Sequence, residues 1–382
     1  MVTKAATPIK IGSKIVKNRI TFAPTVKFDW TDESGIPIDR FRQHYELRAK
    51  GGCGLICVEA TCVDPTGRLA PSQLGLWSDE QIPGHRAITD ACHAYGATML
   101  VQLHHAGATT HPAVGEGYGP SAVESRGRIC HELTRERIHE IIDAFIAAAL
   151  RAQKAGYDGV QMHACHGYLI NQFISPVMNL RTDEYGGSVE NRARFGCEII
   201  RGIRAACGPD FIISMRHSAA EKTLEEGCAI ADYYIDAGAD YLQISNGIGP
   251  HEVDYPEGLP YNMVVWMGTQ IHKHVNGRVP VSVINGIVDP ELARYLIDND
   301  LADTVDAARA LLADPEWARA VTDGTEYLKC RQCRVCLWSP IMPRRCPVVA
   351  IRHQRDPNCP DYTEDNRPIP EFPHRPGMPP RK

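Results

Sequence analysis

Gly159-Val-Gln-Met-His-Ala-Cys-His-Gly-Tyr168 begins as a buried strand and ends as a cluster of reactive side chains. The run into His163 is almost continuously apolar and follows a helical pattern, with Gly156 at the join. Strands buried on both faces read in this way in parallel sheets. His163 and His166 stand three apart at the strand end, and Tyr168 follows two residues later. Side chains that emerge where a strand gives way to a loop are well placed for chemistry in a parallel α/β protein. Two imidazoles can donate hydrogen bonds to one substrate oxygen, and a phenol can supply a proton. A lone histidine in such a place is more often a satisfied core residue. Three such groups within six residues outweigh that reading.

Seven further apolar runs share this character: Ile20 to Thr25, Gly54 to Ala60, Ala97 to Leu103, Phe211 to His217, Tyr241 to Ser245, Val279 to Ile284 and Thr304 to Arg309. Amphipathic helical patterns lie between them. The clearest runs from Thr134, a candidate N-cap, to Ala155. Its Ile138, Ile141, Ile142, Phe145, Ala149 and Ala152 mark one face, Glu136 suits the dipole of the first turn, and Gly156 can end it. A shorter one runs from Cys228 to Ala237, before Gly238. Eight strand–helix units predict an α/β fold of the closed (β/α)8 TIM-barrel type. A doubly wound open sheet is the alternative, but it lacks its Gly-rich dinucleotide turn. The nearest stretch, Gly115-Glu-Gly-Tyr-Gly119 before Pro120, reads as a loop. Insertions at 104–132, 169–195 and 246–262 all follow strands, on the face where barrel active sites form.

The bulk numbers narrow the function. The chain has 382 residues, 43% hydrophobic and 23% charged, which is ordinary soluble composition. A net charge of -5 and a pI near 6.3 point away from nucleic acid and from an anionic membrane surface. No apolar stretch reaches the roughly 20 residues of a membrane span. The N-terminus has no signal-peptide core. Nine of the 14 cysteines, Cys53 to Cys228, are scattered singly through core-like runs, as free buried thiols are. The expected compartment is the reducing cytoplasm.

Composition changes near residue 325. From Lys329 onward there are 11 Lys/Arg against 5 Asp/Glu, and after about Asp356 no helical or strand period survives. The expected domains are therefore a barrel over 1–325, a Cys-rich segment over 326–360 and a Pro-rich basic tail over 361–382. The tail reads as an extended, solvated arm.

With the barrel and the His-His-Tyr cluster in hand, the chain resembles the old yellow enzyme family of FMN-dependent oxidoreductases. The likeness runs from about Pro8 to Val321. It rests on several blocks in order: Lys17-Asn-Arg-Ile20, Ala23-Pro-Thr25, Glu59-Ala60, Leu76-Trp-Ser-Asp-Glu80, Gln102-Leu-His-His-Ala-Gly107, His163 to Leu169, Arg181 to Ser188, and Asn191-Arg192. The resemblance implies that Ala23, Pro24, Thr25 and Ala60 line the flavin ring and that Gln102 bonds its polar edge. Arg216 would lie where negative charge collects on reduction, and Gly286 and Arg309 would hold the phosphate. In that family the histidine pair, here His163 and His166, grips a carbonyl or nitro oxygen. Hydride then passes from flavin N5 to the β carbon, and a tyrosine, here Tyr168, protonates the α carbon. The resemblance also implies a homo-oligomer. Three positions depart from the family pattern. Val26 stands where many relatives bond flavin O4 or attach FMN covalently, and Asn285 and Ala308 replace common glycines.

Cys330-Arg-Gln-Cys333-Arg-Val-Cys336, followed by Cys346, is the second strong signal. Four thiolates at this spacing suit an iron–sulfur cluster. A tetrahedral zinc site is the main rival, free thiols are the other, and Cys359 is an alternative fourth ligand. A similar motif marks the iron–sulfur branch of the family, the 2,4-dienoyl-CoA reductase-like and trimethylamine dehydrogenase-like enzymes. Their FAD and nucleotide domains have no Gly-rich fingerprint here. The expectation is thus an FMN-dependent ene-reductase acting on an enone, enoate or enoyl thioester. A [4Fe-4S] cluster would relay electrons from another protein, or NAD(P)H would bind briefly over the flavin. An amine dehydrogenase or demethylase is the enzymatic alternative, its cationic substrate caged by Trp30, Trp77, Tyr118 and Tyr168. A non-catalytic electron-transfer subunit is the alternative of another class.

Overall fold

The computed structural model describes residues 3–28, 30–249, 251–333, 336, 338, 346–358 and 361. Each of the eight apolar runs forms one strand: β1 (Ile20–Phe22), β2 (Leu55–Cys62), β3 (Thr98–His104), β4 (Gly159–Ala164), β5 (Ile212–Ser218), β6 (Tyr241–Ser245), β7 (Val281–Ile284) and β8 (Thr304–Ala307). All neighbours pair in parallel, and β8 returns to β1, so the sheet is closed. Closure removes the open-sheet alternative. The first run stops at Phe22 rather than Thr25, because Pro24 has no N–H to give to a ladder.

Register sets which side chains share a layer. His163 lies opposite Arg216 and Arg216 opposite Gln243, while Gln161 lies opposite Gln102. Since side chains alternate along a strand, one buried polar layer follows, holding Gln102, Gln161, Ser214, Gln243, Ser282 and Asp306. The other end of the barrel is apolar. An antiparallel hairpin, Ile9–Ile11 with Lys14–Val16, packs Ile11 and Val16 against Leu55, Cys57, Leu100, Ile212 and Tyr241.

The helices sit outside. The helix α1 spans Asp39–Lys50, α2 Ile82–His93, α3 Arg135–Lys154, α4 Val189–Cys207 and α5 Leu224–Ala237. The Thr134 side chain caps α3 by accepting from the Arg137 N–H, and its six expected face residues are buried. Burying the Ile and Phe side chains among them is worth about 1.5–3 kcal/mol each. The α5 helix starts four residues before Cys228, because Thr223 caps it by accepting from the Glu226 N–H. Gly156 and Gly238 follow α3 and α5 with φ of 88° and 111°.

One correction concerns the loops. Tyr118–Gly119, expected in a loop, pairs with His131–Glu132 as a short parallel ladder. Beside it Glu124–Ser125 and Arg128–Ile129 form a small hairpin with Arg126 at its tip. Toward the C-terminus, Trp338 packs on Trp30 and His44 at ring separations of 5.9 and 5.4 Å. Asp361 is buried against α1. Of the expected tail only Asp361 is described, and Cys359 lies outside the described residues. Of the nine barrel cysteines, none is in a disulfide and eight are buried. Among the described residues no helix is long and apolar enough to cross a membrane.

Candidate active site

His163 sits near the end of β4, and the chain then turns sharply. His166 has φ of 62° and Gly167 of 79°. A left-handed conformation costs a residue with a Cβ roughly 1–2 kcal/mol, so the turn needs support. It has three. The His166 N–H donates to the Asn246 carbonyl at 3.1 Å, and the Gly167 N–H donates to Asn171 Oδ1 at 2.8 Å. The Asn171 amide in turn donates to Glu221, which also accepts from the Ile248 N–H at 3.3 Å. Burial pushes the Glu221 carboxyl up to about 7, against the opposing pull of its hydrogen bonds.

Three imidazoles and a hydroxyl form a chain across the mouth. His104 Nδ1 is 3.3 Å from His163 Nδ1, His163 Nε2 is 3.0 Å from His166 Nδ1, and His166 Nε2 is 2.7 Å from Ser245 Oγ. Burial drives the imidazoles neutral. His104 and His163 fall well below their ordinary value, and His166 falls to about 3, with Arg216 adding to the effect. Each contact needs one N–H and one lone pair, so the tautomers are linked along the chain. Both ring nitrogens of His163 are engaged. Gripping a ligand oxygen therefore requires one of its two contacts to open. The Tyr168 ring lies edge-on to His104 and His163, with centroids 4.5 and 4.7 Å away. Burial raises its phenol, while the neighbouring Arg126 guanidinium pulls the other way. His104, Ser245 and Arg126 had no assigned role in the sequence reading. His104 is two residues beyond Gln102 on one strand, so the period of two already placed it on the same face.

Beside this mouth lies a cavity of about 270 Å³ lined by His166, Arg216, Ser245, Gly286, Asp306 and Arg309 among others. Arg216 is buried, and its Nε has no hydrogen-bond partner among the described residues. Asn285 and Gly286 have φ of 105° and 74°. A Cβ on Gly286 would come within 3.1 Å of Asn262 Nδ2. Two arginines and a tight backbone turn around one cavity fit an elongated anion such as FMN. The structure thus brings Arg216, Gly286 and Arg309 together as expected.

The other expected cofactor residues are pinned from behind. The Thr25 carbonyl, next to Ala23 and Pro24, accepts from Lys27 Nζ at 2.6 Å. Lys27 is paired with Glu59 at 2.8 Å in full burial, and burial lowers its ammonium to about 8. The Ala60 carbonyl accepts from Gln73 Nε2 at 2.9 Å. Gln102 is held from the side. Its Nε2 donates to Gln161 Oε1 at 2.7 Å, and Gln161 donates to Gln243, whose own Nε2 has no partner among the described residues. That leaves Gln102 its second N–H and its Oε1 for a ligand.

Cys330, Cys333, Cys336 and Cys346 are neighbours. Burial raises the Cys336 thiol, with Cys346 and Cys330 adding to it and Arg309 opposing. Burial likewise raises Cys346, with Cys330 and Cys333 adding. The aromatic cage of the amine reading is not assembled. Trp30 packs on Phe41 and Trp338, Trp77 lies under Arg68, and Tyr118 stacks beside His131.

This geometry has relatives. The sequence pattern of the NADH:flavin oxidoreductase / NADH oxidase family matches residues 6–327. An NADH oxidase of Thermoanaerobacter brockii is 40% identical over 361 residues, which cover 90% of this chain and 55% of that protein. A 2-naphthoyl-CoA reductase solved with 2-naphthoyl-CoA superposes with a TM-score of 0.80 at 30% identity, over 88% of this chain and 55% of that one. This chain thus spans little more than half the length of either. An old yellow enzyme homologue from Zymomonas mobilis superposes with a TM-score of 0.75 at 27% identity, over 86% of this chain and 95% of that one.

Proposed function

We propose that this chain, which belongs to the NADH:flavin oxidoreductase / NADH oxidase family and is an FMN-dependent oxidoreductase of the old yellow enzyme type, reduces the activated C=C bond of an enone, enoate or enoyl thioester. The observation that carries this reading is the gathering of His163, His166 and Tyr168 at the mouth of the Arg216 cavity. His163 and His166 each hold one N–H; opening their mutual contact frees one of these donors, and opening the outer contact, to His104 or to Ser245, frees the other, so that both can donate to the substrate carbonyl oxygen. In a water-poor mouth those two donors stabilise the charge that builds there as the C=C accepts hydride. Tyr168, kept protonated by burial, holds the proton for the α carbon. Bound FMN would supply hydride chemistry at its ring, replenished from NAD(P)H or a redox partner. Ala23, Pro24, Thr25, Ala60 and Gln102 would line that ring, Arg216 its electron-rich edge, and Gly286 and Arg309 its phosphate. The thioester among the substrates draws support from the naphthoyl-CoA reductase likeness.

Cys330, Cys333, Cys336 and Cys346 would hold a [4Fe-4S] cluster, whose chemistry is one-electron transfer. Their mutual proximity and their closeness to Arg309 support this. Zinc, the main rival, is less favoured because a third closely spaced cysteine follows the C-x2-C pair. The test mixes anaerobically reduced holoenzyme with a cyclic enone, an aryl enoate and an enoyl-CoA, and follows flavin absorbance. Reoxidation by at least one of them is expected, and His163→Ala should slow it roughly 10²–10³-fold with FMN retained. A reduced enzyme that none of them reoxidises overturns the reading.

A further inference from the structure

Asp306 is an acidic residue in the middle of an apolar strand, and the reaction above gives it no task. It lies on β8, in register with Ile284 of β7 and Thr21 of β1, and is 1% exposed. Its Oδ1 accepts from the Ser282 hydroxyl at 2.7 Å. Its Oδ2 is buried with no hydrogen-bond partner among the described residues. An acceptor left dry in this way is costly. Yet Asp306 is not sealed in packed protein, because it lines the cavity shared by Arg216, Ser245, Gly286 and Arg309. Burial lifts its carboxyl to about 7, with the Ser282 bond, Arg216 and the nearby Thr21 hydroxyl, which forms no bond of good geometry to Oδ2, holding it back. Arg216 and Asp306 thus face one space without forming an ion pair, and each has an unpartnered atom. A third molecule that satisfies both must offer acceptors to the guanidinium and donors to the carboxyl.

FMN has that composition. Its ring and phosphate carry acceptors, and the ribityl chain between them carries hydroxyl donors. Resting on the FMN-dependent reading of the cavity, we propose that Asp306 Oδ2 accepts a hydrogen bond from a ribityl hydroxyl of the bound cofactor. Arg309 and Gly286 would then hold the phosphate, Asp306 the chain and Arg216 the ring, so the three parts of one ligand have separate anchors.

Three flavins separate these anchors. Flavin-stripped protein, prepared from the holoenzyme, is titrated with FMN, riboflavin and lumiflavin, which has the ring but no ribityl chain. Binding is read from the quenching of flavin fluorescence. Asp306→Ala should weaken FMN and riboflavin by the same factor, roughly tenfold or more, and leave lumiflavin unchanged. Asp306→Asn, which keeps one acceptor, should recover part of the loss. Should the alanine variant not fold, Asp306→Asn carries the test alone, with a several-fold loss for riboflavin and none for lumiflavin. Equal losses for all three flavins, or no loss for any, would overturn the proposal. A wild-type protein that binds none of the three would remove the FMN reading beneath it as well.

Discussion

Two buried arginine–aspartate sets lie in this molecule, and they differ in whether they are complete. Arg48 meets Asp361 through two parallel bonds of 2.8 and 2.7 Å, and its Nε donates to the Leu311 carbonyl at 3.2 Å. His44 Nδ1 stands 2.7 Å from the same carboxylate. Arg216 and Asp306 face a cavity instead, with Nε and Oδ2 unpartnered among the described residues. A buried charge must be paired or neutralised. The charges of the first set, Arg48 and Asp361, are satisfied by the chain itself, so that set is architecture, fastening the C-terminal segment to α1. The second is left for a ligand to complete. Charge in a core is therefore informative about function chiefly through what it lacks.

The comparison breaks most visibly at Asp361. Asp361→Ala leaves Arg48 buried and unpaired, which should cost about 3–5 kcal/mol. Burial alone would raise the Asp361 carboxyl. Arg48 and His44 outweigh it and hold the group well below the usual range. Its contribution is thus fully present above the unfolded value of about 4 and is lost as pH falls through the folded one. Urea midpoints at pH 7 and at about pH 3 should show the wild-type advantage shrinking with acidity. An advantage that does not change with pH would mean that the pair is not ionised.

Arg216→Met tests the other set, with the opposite sign. Without flavin the variant should be as stable as wild type or more so, because it removes an unpaired buried cation. With flavin it should bind FMN roughly 10–100-fold more weakly, the loss expected of a charged hydrogen-bond partner. Thermal melts of stripped and loaded protein measure both. Destabilisation of the stripped protein comparable to that of Asp361→Ala would erase the distinction between the two sets.

Much of this was legible in the sequence. The eight strands were readable because a closed parallel barrel buries both faces of each, leaving short apolar runs between amphipathic helices. His163, His166 and Tyr168 were readable because one strand end carries all three. The hairpin from Ile9 to Val16 was not, because three-residue strands are too short to show a period. The pairing of Arg48 with Asp361 spans 313 residues and ends in a stretch without pattern. Asp306 drew no role from the sequence, where it is one charge inside an apolar run. That it shares a cavity with Arg216 follows from barrel closure, which local sequence does not report. The amine cage failed for a related reason. Trp30 and Trp77 are near the site in sequence blocks, but their rings are used in packing.

The smallest expected effect concerns a third buried acid, Glu221, which falls between the two sets. It has partners in Asn171 and Ile248, and Arg192 helps to hold it down, yet burial still lifts it to about 7. In the unfolded chain it titrates near 4.3. A carboxyl raised on folding contributes stability below its unfolded value and loses it as pH rises through the folded one. The wild-type protein should therefore lose stability relative to Glu221→Gln between about pH 4.3 and 7. Asp306 titrates over the same window but is common to both proteins, so it cancels in the difference. Because Glu221 braces the His166 turn through Asn171, the variant should also lower kcat a few-fold. Urea midpoints at four pH values from 4 to 8 and steady-state kinetics at pH 7 would check both. Parallel stability curves would mean that Glu221 is already ionised in the folded protein, and so belongs with the completed set of Arg48 and Asp361.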